Sequence, residues 1–272
     1  MEPSLQRRIQ RYGWDKASNL YEIYWHRQLK PAQDVLLQMA HVQNGEHVLD
    51  IACGTGLVSF RLVEEVGENG LVVGTDISDK MVEVASSIAT QKKYSNINFL
   101  RMDAEDLQVP DSSFDVALCA LGLMYFPNPI QALKEMYRIL KPGGRAVAAV
   151  WGKRENCGWA EIFPIVDKRV ASEVCPMFFS LGNDDMLSRS FLAAGFSMTS
   201  TQRIKTGLQY NSVNDACGAA FAGGPVALAY SKFNEETKAQ VHAEYLASIE
   251  AYRNERKYNV PGEFVITSGY KK

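Results

Sequence analysis

The segment His47-Val48-Leu49-Asp50-Ile51-Ala52-Cys53-Gly54-Thr55-Gly56 constrains this chain more than any other stretch. It reads as an apolar strand that reaches a carboxylate, crosses a turn of small residues and opens into a helix over residues 57–66. Small side chains at 52, 54 and 56 let the backbone turn tightly and let a ligand approach the main chain directly. The helix that follows would aim its free N–H groups and positive dipole end at whatever fills the turn. Such turns serve nucleotide-like ligands, but a Gly-x-Gly by itself also occurs in plain strand-to-helix connections.

The residues downstream favour a nucleoside site. Leu71 to Asp76 reads as a second buried strand ending in a carboxylate, the position that accepts ribose hydroxyls in doubly wound α/β sheets. Ser78 is placed to cap a helix with apolar Met81, Val84, Ala85 and Ile88. A third strand runs from Ile97 to Met102 and stops at Asp103-Ala104, and a fourth runs from Phe114 to Leu121. Asn128-Pro129 opens a helix with Ile130, Leu133, Tyr137 and Leu140 on its apolar side. Lys141-Pro142-Gly143-Gly144 stops that helix, and Arg145 to Trp151 is the fifth strand.

Taken together, Asp50-Ile51-Ala52-Cys53-Gly54-Thr55-Gly56, Asp76-Ile77-Ser78, Asp103-Ala104, Phe114-Asp115-Val116 and Leu140-Lys141-Pro142-Gly143-Gly144 resemble a class I S-adenosylmethionine-dependent methyltransferase. The likeness is to the branch containing ubiquinone- and menaquinone-biosynthesis C-methyltransferases and many small-molecule methyltransferases, over about residues 40–150. Two departures stand out. Ala52 replaces a common Gly, and Ala148-Ala149-Val150-Trp151 replaces the Glu-Phe-Ser ending of the quinone enzymes' fifth strand.

The resemblance implies S-adenosyl-L-methionine as cofactor and assigns binding roles residue by residue. The turn from Ala52 and Cys53 through Gly54 and Gly56 would pass the backbone along the methionine and sugar. Asp76 would take the ribose hydroxyls, and Asp103 with the Ala104 amide would read the adenine edge. Ile77 and Met102 would sandwich the ring, with Met81 beside them. The main chain at Ala120 and Leu121 would border the methionine part. Asp50 would orient the turn or, through water, the ammonium group; capping the loop amides is its alternative. Tyr24, with Trp14, would reach the methionine end from a lid.

Methyl transfer from a sulfonium is an in-line displacement, so alignment matters more than acid–base chemistry. His26 is the best-placed base on titration grounds, with a solvent-exposed or core-satisfied histidine as its alternative. Tyr125 is better placed to touch an acceptor than to deprotonate it. The four histidines show no ligand spacing, so no metal is expected.

A net charge of −2 argues against a dedicated nucleic-acid binder. No apolar run approaches the ~20 residues that span a bilayer, and the first residues lack a signal-peptide core. Five dispersed cysteines suggest reduced thiols. A cytoplasmic enzyme acting on a small-molecule substrate is therefore expected, with homodimerisation left open.

The expected architecture is an α/β fold: a doubly wound, seven-stranded, mostly parallel sheet of Rossmann-like methyltransferase type. Residues 1–40 would be a helical lid, a pair of helices whose apolar faces include Leu20, Ile23 and Tyr24, then Val35, Leu36 and Met39. Residues 41–210 would form the cofactor-binding core, with a helix over Asp184 to Ala194 and a sixth strand over Met198 to Tyr210. Residues 211–260 would be a helical cap, with a pliable stretch at Gly223-Gly224-Pro225 and a charged helix from Glu235 to Arg256. The last strand, within 261–272, would run antiparallel. Met177-Phe178-Phe179 could line a dry pocket under the cap.

Two other functions fit parts of the pattern. A nicotinamide oxidoreductase would share the turn and ribose carboxylate, but Ser59 stands where its fingerprint wants a third Gly or Ala. A cofactor-binding module without catalysis would present the same binding residues.

Overall fold

The computed structural model describes residues 2–171, 175 and 177–272. Strand β1 (His47–Ile51) is flanked by β2 (Leu71–Asp76) and β4 (Phe114–Ala120), with β3 (Ile97–Arg101) outside β2 and β5 (Leu140–Trp151) outside β4, all parallel. The β6 (Ser197–Tyr210) and β8 (Lys257–Tyr270) pair is antiparallel and completes the order β3-β2-β1-β4-β5-β8-β6. Val48, Leu49, Val72, Val116, Leu118, Val147 and Val150 are buried on both faces, as near-continuous apolar strands in a covered parallel sheet should be. The expected seven-stranded fold is therefore present, with one addition. The charged helix α9 (Glu235–Ile249) ends before Arg256, and Arg253–Asn254 forms a short β7 that pairs with β8 as an eighth strand.

Helices α2 (Ser59–Val66), α3 (Asp79–Lys92) and α4 (Pro129–Ile139) fill the crossovers. Ser78 Oγ accepts from the Met81 amide, and Asn128 Oδ1 from the Gln131 amide, so both caps form as the residue types predict. The buried face of α4 is Ala132, Leu133, Met136 and Ile139, which leaves Ile130 exposed and Tyr137 half-buried. Beyond β5, short α5 (Ile162–Asp167) and α6 (Met186–Ala193) lead to β6.

The N-terminal segment departs from the expected helical pair. It is one helix, α1 (Pro3–Ala40), with Pro31 inside it. Proline removes one intrahelical hydrogen bond. Buried Leu29, Ala32 and Leu36 on either side pack on the sheet and keep the helix continuous. Its buried stripe contains Trp25 and Leu29, while Ile23 is 72% exposed. Gln28 clamps α1 to β6: its Nε2 donates to the Gln209 carbonyl at 2.6 Å and its Oε1 accepts from the Gln209 amide at 2.9 Å.

Between β6 and β7 the chain forms α7 (Val213–Cys217), a π-helical turn at Gly218–Ala222, α8 (Ala227–Tyr230) and then α9. Phe221, Ala219 and Ala220 are buried there. The loop after β5 is tied down by Glu263, whose carboxylate accepts from the Lys153 amide, Asn156 Nδ2 and Arg203 Nη1 at 2.9, 3.0 and 2.6 Å. That anchorage fixes the neighbourhood of Trp151 and Trp159.

Candidate active site

A cleft lies at the carboxyl ends of β1 to β5 under residues 7–29 of α1. This is where ligands bind in open parallel sheets, because the crossovers diverge there. Its floor begins at the turn after β1. Gly54 and Gly56 have φ of +56° and +91°, the left-handed region that suits glycine. A Cβ on Gly56 would come 2.7 Å from the Phe60 ring, so a larger residue would force that ring to shift.

Asp76 closes β2 at the cleft wall. Its Oδ2 accepts from the Gly54 amide and its Oδ1 from the Ser78 amide, each at 2.9 Å. Burial pushes its pKa up to about 6, against these two amide hydrogen bonds. Behind the turn, Asp50 is fully buried; Ser59 Oγ donates to its Oδ2 at 2.5 Å, and its Oδ1 has no partner. Burial pushes Asp50 up to about 7.

Ala52, Gly54, Asp76, Ile77, Met81, Met102, Asp103, Ala104, Ala120 and Leu121 all face this cleft, as does Tyr125. Four sequence candidates for cofactor contact do not. Asp50, Cys53 and Gly56 sit behind the turn, and Tyr24 faces the cap, where its ring lies against Gly218 and Gly223 so closely that a Cβ on either would clash. His26 is exposed on the solvent side of α1 and is removed from the cleft by the rotation that buries Trp25. The structure thus places His26 and Tyr24 outside the lining of the cleft.

The residues that α1 delivers instead are Arg7, Gln10, Trp14, Tyr21, Trp25 and Leu29. They recur every three, four or seven positions, one stripe of a continuous helix. Trp14 stands edge-on to Tyr21 and Tyr125 at 5.7 and 5.3 Å. Tyr21 reaches the turn, its ring 3.5 Å from where a Gly54 Cβ would lie, and burial holds its hydroxyl protonated. Burial does the same for Tyr125, which suits it to donate a hydrogen bond rather than to take a proton.

Ion pairs tie α1 to the wall. Arg7 pairs with Asp103 at 2.8 Å and Glu105 at 2.6 Å, and Arg11 with Asp79. Asp15 accepts from Ser78 Oγ at 2.6 Å. The opposite end of the cleft is apolar: Trp25, Trp151, Trp159 and Met124, with Pro225 from the cap. Phe178 stands behind this wall, 5.4 Å from Tyr125 and 5.6 Å from Trp159; Met177 is exposed. Trp159 and Arg7 carry no local signal in the sequence, and Pro225 only that of a pliable cap stretch.

Comparison with known proteins accords with this geometry. A family model described as a methyltransferase domain matches residues 42–167. The chain is 36% identical to demethylmenaquinone methyltransferase of Listeria monocytogenes over 127 residues, 47% of this chain and 54% of that protein. It thus spans about half the length of that relative. With the Geobacillus kaustophilus demethylmenaquinone methyltransferase it shares 33% identity over 168 residues, 60% of this chain and 71% of the relative. Phosphoethanolamine N-methyltransferase 2 of Haemonchus contortus, solved in complex with S-adenosyl-L-methionine, shares the fold at a TM-score of 0.62 and 15% identity, over 94% of this chain and 57% of that one. All of α1 and the whole cap lie outside the matched family segment, whereas Met124, Trp151 and Trp159 lie within it. On the turn, the strand-end carboxylates, the sheet order and these relatives, the chain belongs to the class I S-adenosylmethionine-dependent methyltransferases, in the menaquinone-biosynthesis type.

Proposed function

We propose that this protein transfers a methyl group from S-adenosylmethionine to a small, apolar or aromatic acceptor in the cytoplasm. The reading is carried by one observation: a single cleft joins a nucleoside-type wall at β1 to β3 with an aromatic wall at β5. The residues fit the cofactor. Gly54 leaves its backbone open, and Asp76, held at the cleft surface by two amides, keeps lone pairs free for ribose hydroxyls. Ile77, Met81 and Met102 offer an apolar slot for the base, edged by Asp103 and the Ala104 amide. The bound cofactor supplies an already activated methyl group, so the protein's task is alignment and exclusion of water.

Tyr21, Trp14 and Tyr125 would cover the methionine end and hold the acceptor in line. No histidine lines the cleft among the described residues, so the acceptor must bring an available lone pair or lose its proton readily. The cytoplasmic setting is supported by five free cysteines.

Calorimetry with S-adenosylhomocysteine tests the cofactor half. Asp76→Ala should weaken binding about 10- to 100-fold, the scale of hydrogen bonds to a charged group. Unchanged affinity, or NAD binding in its place, would overturn it. Methyl-labelled cofactor incubated with metabolite extracts tests the acceptor half, and label entering only macromolecules would refute it.

A further inference from the structure

The first half of α1 lines two concavities, one on each side. Arg7, Gln10 and Trp14 face the cleft. Arg8, Tyr12 and Lys16, spaced four apart on one face of the helix, line a separate groove between α1, α8 and the start of α3. The groove exists because α8 runs back along α1. A Cβ on Gly224 would lie 3.7 Å from Trp25 Cζ2, and one on Gly13 3.8 Å from Leu228 Cβ. That course carries Lys232 toward Arg8, and both line the groove.

Its charge is opposite to that of the chain. The protein has a net charge of −2, yet four cations line the groove, Arg8, Lys16, Lys80 and Lys232, against one carboxylate, Asp15. That carboxylate is already engaged: its Oδ1 accepts from Ser78 Oγ at 2.6 Å and from the Lys80 amide at 3.1 Å. Lys80 is paired with Glu83. Arg8, Lys16 and Lys232 have no ion pair among the described residues. Like charges gathered on one groove repel, and each keeps its N–H donors free for an anion.

Between the cations the floor is apolar. Leu5, Ile9 and Leu228 are half-buried there, and Tyr12 is 46% exposed. Arg8 and Lys16 stand eight residues apart on α1, roughly 12 Å, too far to share one compact anion. The Lys16 end is offset by Asp15 and by the Glu83 partner of Lys80. An anion is therefore best held at Arg8 and Lys232, with apolar surface beside it. A flat bilayer would touch the exposed cations and leave the recessed floor uncovered, whereas one molecule with a charged head and an apolar body covers both.

We propose that this groove is a second ligand site, separate from the cleft, for an anionic amphiphile. A phosphate or carboxylate head would sit between Arg8 and Lys232, and an apolar chain or ring would lie on Ile9, Tyr12 and Leu228. Such an occupant bridges α1 to α8. The same turns of α1 carry Gln10 and Trp14 over the cleft, so occupancy pins them down and slows the escape of a ligand from the cleft.

The test uses the full chain and calorimetry with decyl phosphate below its micelle concentration, beside butyl phosphate, decanol and decyltrimethylammonium. Decyl phosphate should bind at least about tenfold tighter than each, because the others lack either the buried methylenes or the negative head. Arg8→Gln and Lys232→Gln alter exposed side chains and should leave thermal unfolding unchanged. Each should weaken decyl phosphate several-fold, and the pair about tenfold or more, with Lys134→Gln on α4 as the control for net charge. Saturating decyl phosphate should also slow release of S-adenosylhomocysteine several-fold in wild type and not in the double variant. Equal binding of butyl phosphate or decanol, preference for the ammonium salt, undiminished binding in the double variant, or an equal loss in Lys134→Gln would each overturn the site. Binding seen only above the micelle concentration, or only to phosphatidylglycerol vesicles, would make this face a membrane-adsorbing surface and overturn it too. Unaltered release would overturn the link to the cleft. If S-adenosylhomocysteine does not bind at all, the cofactor reading falls, and the probe binding decides the groove by itself.

Discussion

Ala52 and Gly122 share one space: a Cβ built on Gly122 would lie 2.4 Å from the Cβ of Ala52. Ala52 itself sits at φ +55°, in the left-handed region that L side chains rarely adopt. Alanine stands there because the residue facing it, just past β4, has no side chain. The clash is between two carbons attached to backbone, so neither can swing away.

Gly122→Ala should therefore destabilise the protein by about 1–3 kcal/mol, the usual cost of overpacking. The double variant Ala52→Gly/Gly122→Ala should recover a large part of that loss, since removing the Ala52 methyl frees the space. Denaturant unfolding of the two single variants and the double closes the cycle. Additive effects would show that the two positions do not compete.

The buried carboxylates predict a specific pH dependence. Asp50 and Asp76 are both raised by burial, to about 7 and about 6. A carboxyl raised in the folded state stabilises it fully below the unfolded pKa, near 4, and that stability is lost as pH rises through the folded pKa. Between pH 4 and 8, then, Asp50→Asn should gain stability relative to wild type, by a few kcal/mol at most at ~1.4 kcal/mol per pKa unit. Denaturant titrations at several pH values read this difference. A pH-independent difference would mean that Asp50 is ionised throughout. Cofactor affinity should move the other way, improving as Asp76 ionises through pH 6.

Legibility of the fold and site followed how local each signal is. Strand ends at Asp50, Asp76 and Asp103 are readable because apolar runs, turns and caps are short-range patterns; Asp76 and Asp103 line one cleft, with Asp50 behind its turn. The buried face of α1 differs from the one its spacing suggests: Ile23 is exposed and Trp25 buried. Leu20, Ile23 and Tyr24 keep helical spacing, but so do Trp14, Tyr21 and Trp25, about 100° round the same helix. Only the partners decide between them: the cap presents Gly218 and Gly223 to Tyr24, and the sheet presents Trp151 to Trp25. Trp159 enters the cleft through tertiary contacts with no sequence neighbour to announce it, and the Gly-Gly-Pro pattern around Pro225 marks a turn without saying where it docks.

His26 supplies a clean negative control. It is exposed, on the face of α1 away from the cleft. His26→Ala should leave turnover within about twofold of wild type and stability within about 0.5 kcal/mol, as for other surface substitutions. A loss beyond tenfold in kcat with unchanged KM would return His26 to the reaction and require α1 to rotate during turnover.

The last prediction concerns how the cleft opens. The first turns of α1 cover it with Gln10 and Trp14, and they are fastened through ion pairs and hydrogen bonds of Arg7, Arg11 and Asp15 to Asp103, Asp79 and Ser78. These contacts are partly solvated, so each is weak and readily broken. The second half of α1 is different: Gln28 is bonded in both directions to β6, and Leu29, Ala32 and Leu36 are buried. Opening should therefore be confined to residues 3–16, with the remainder of the helix staying on the sheet. Hydrogen exchange should slow over 3–16 when S-adenosylhomocysteine binds and remain unchanged over 28–40. Arg7→Ala with Arg11→Ala should speed exchange over 3–16 and accelerate release of S-adenosylhomocysteine several-fold, with a stability loss of about 1 kcal/mol or less per pair. Protection that is the same with and without ligand, together with unaltered release from the double variant, would make this segment a fixed wall and not a lid.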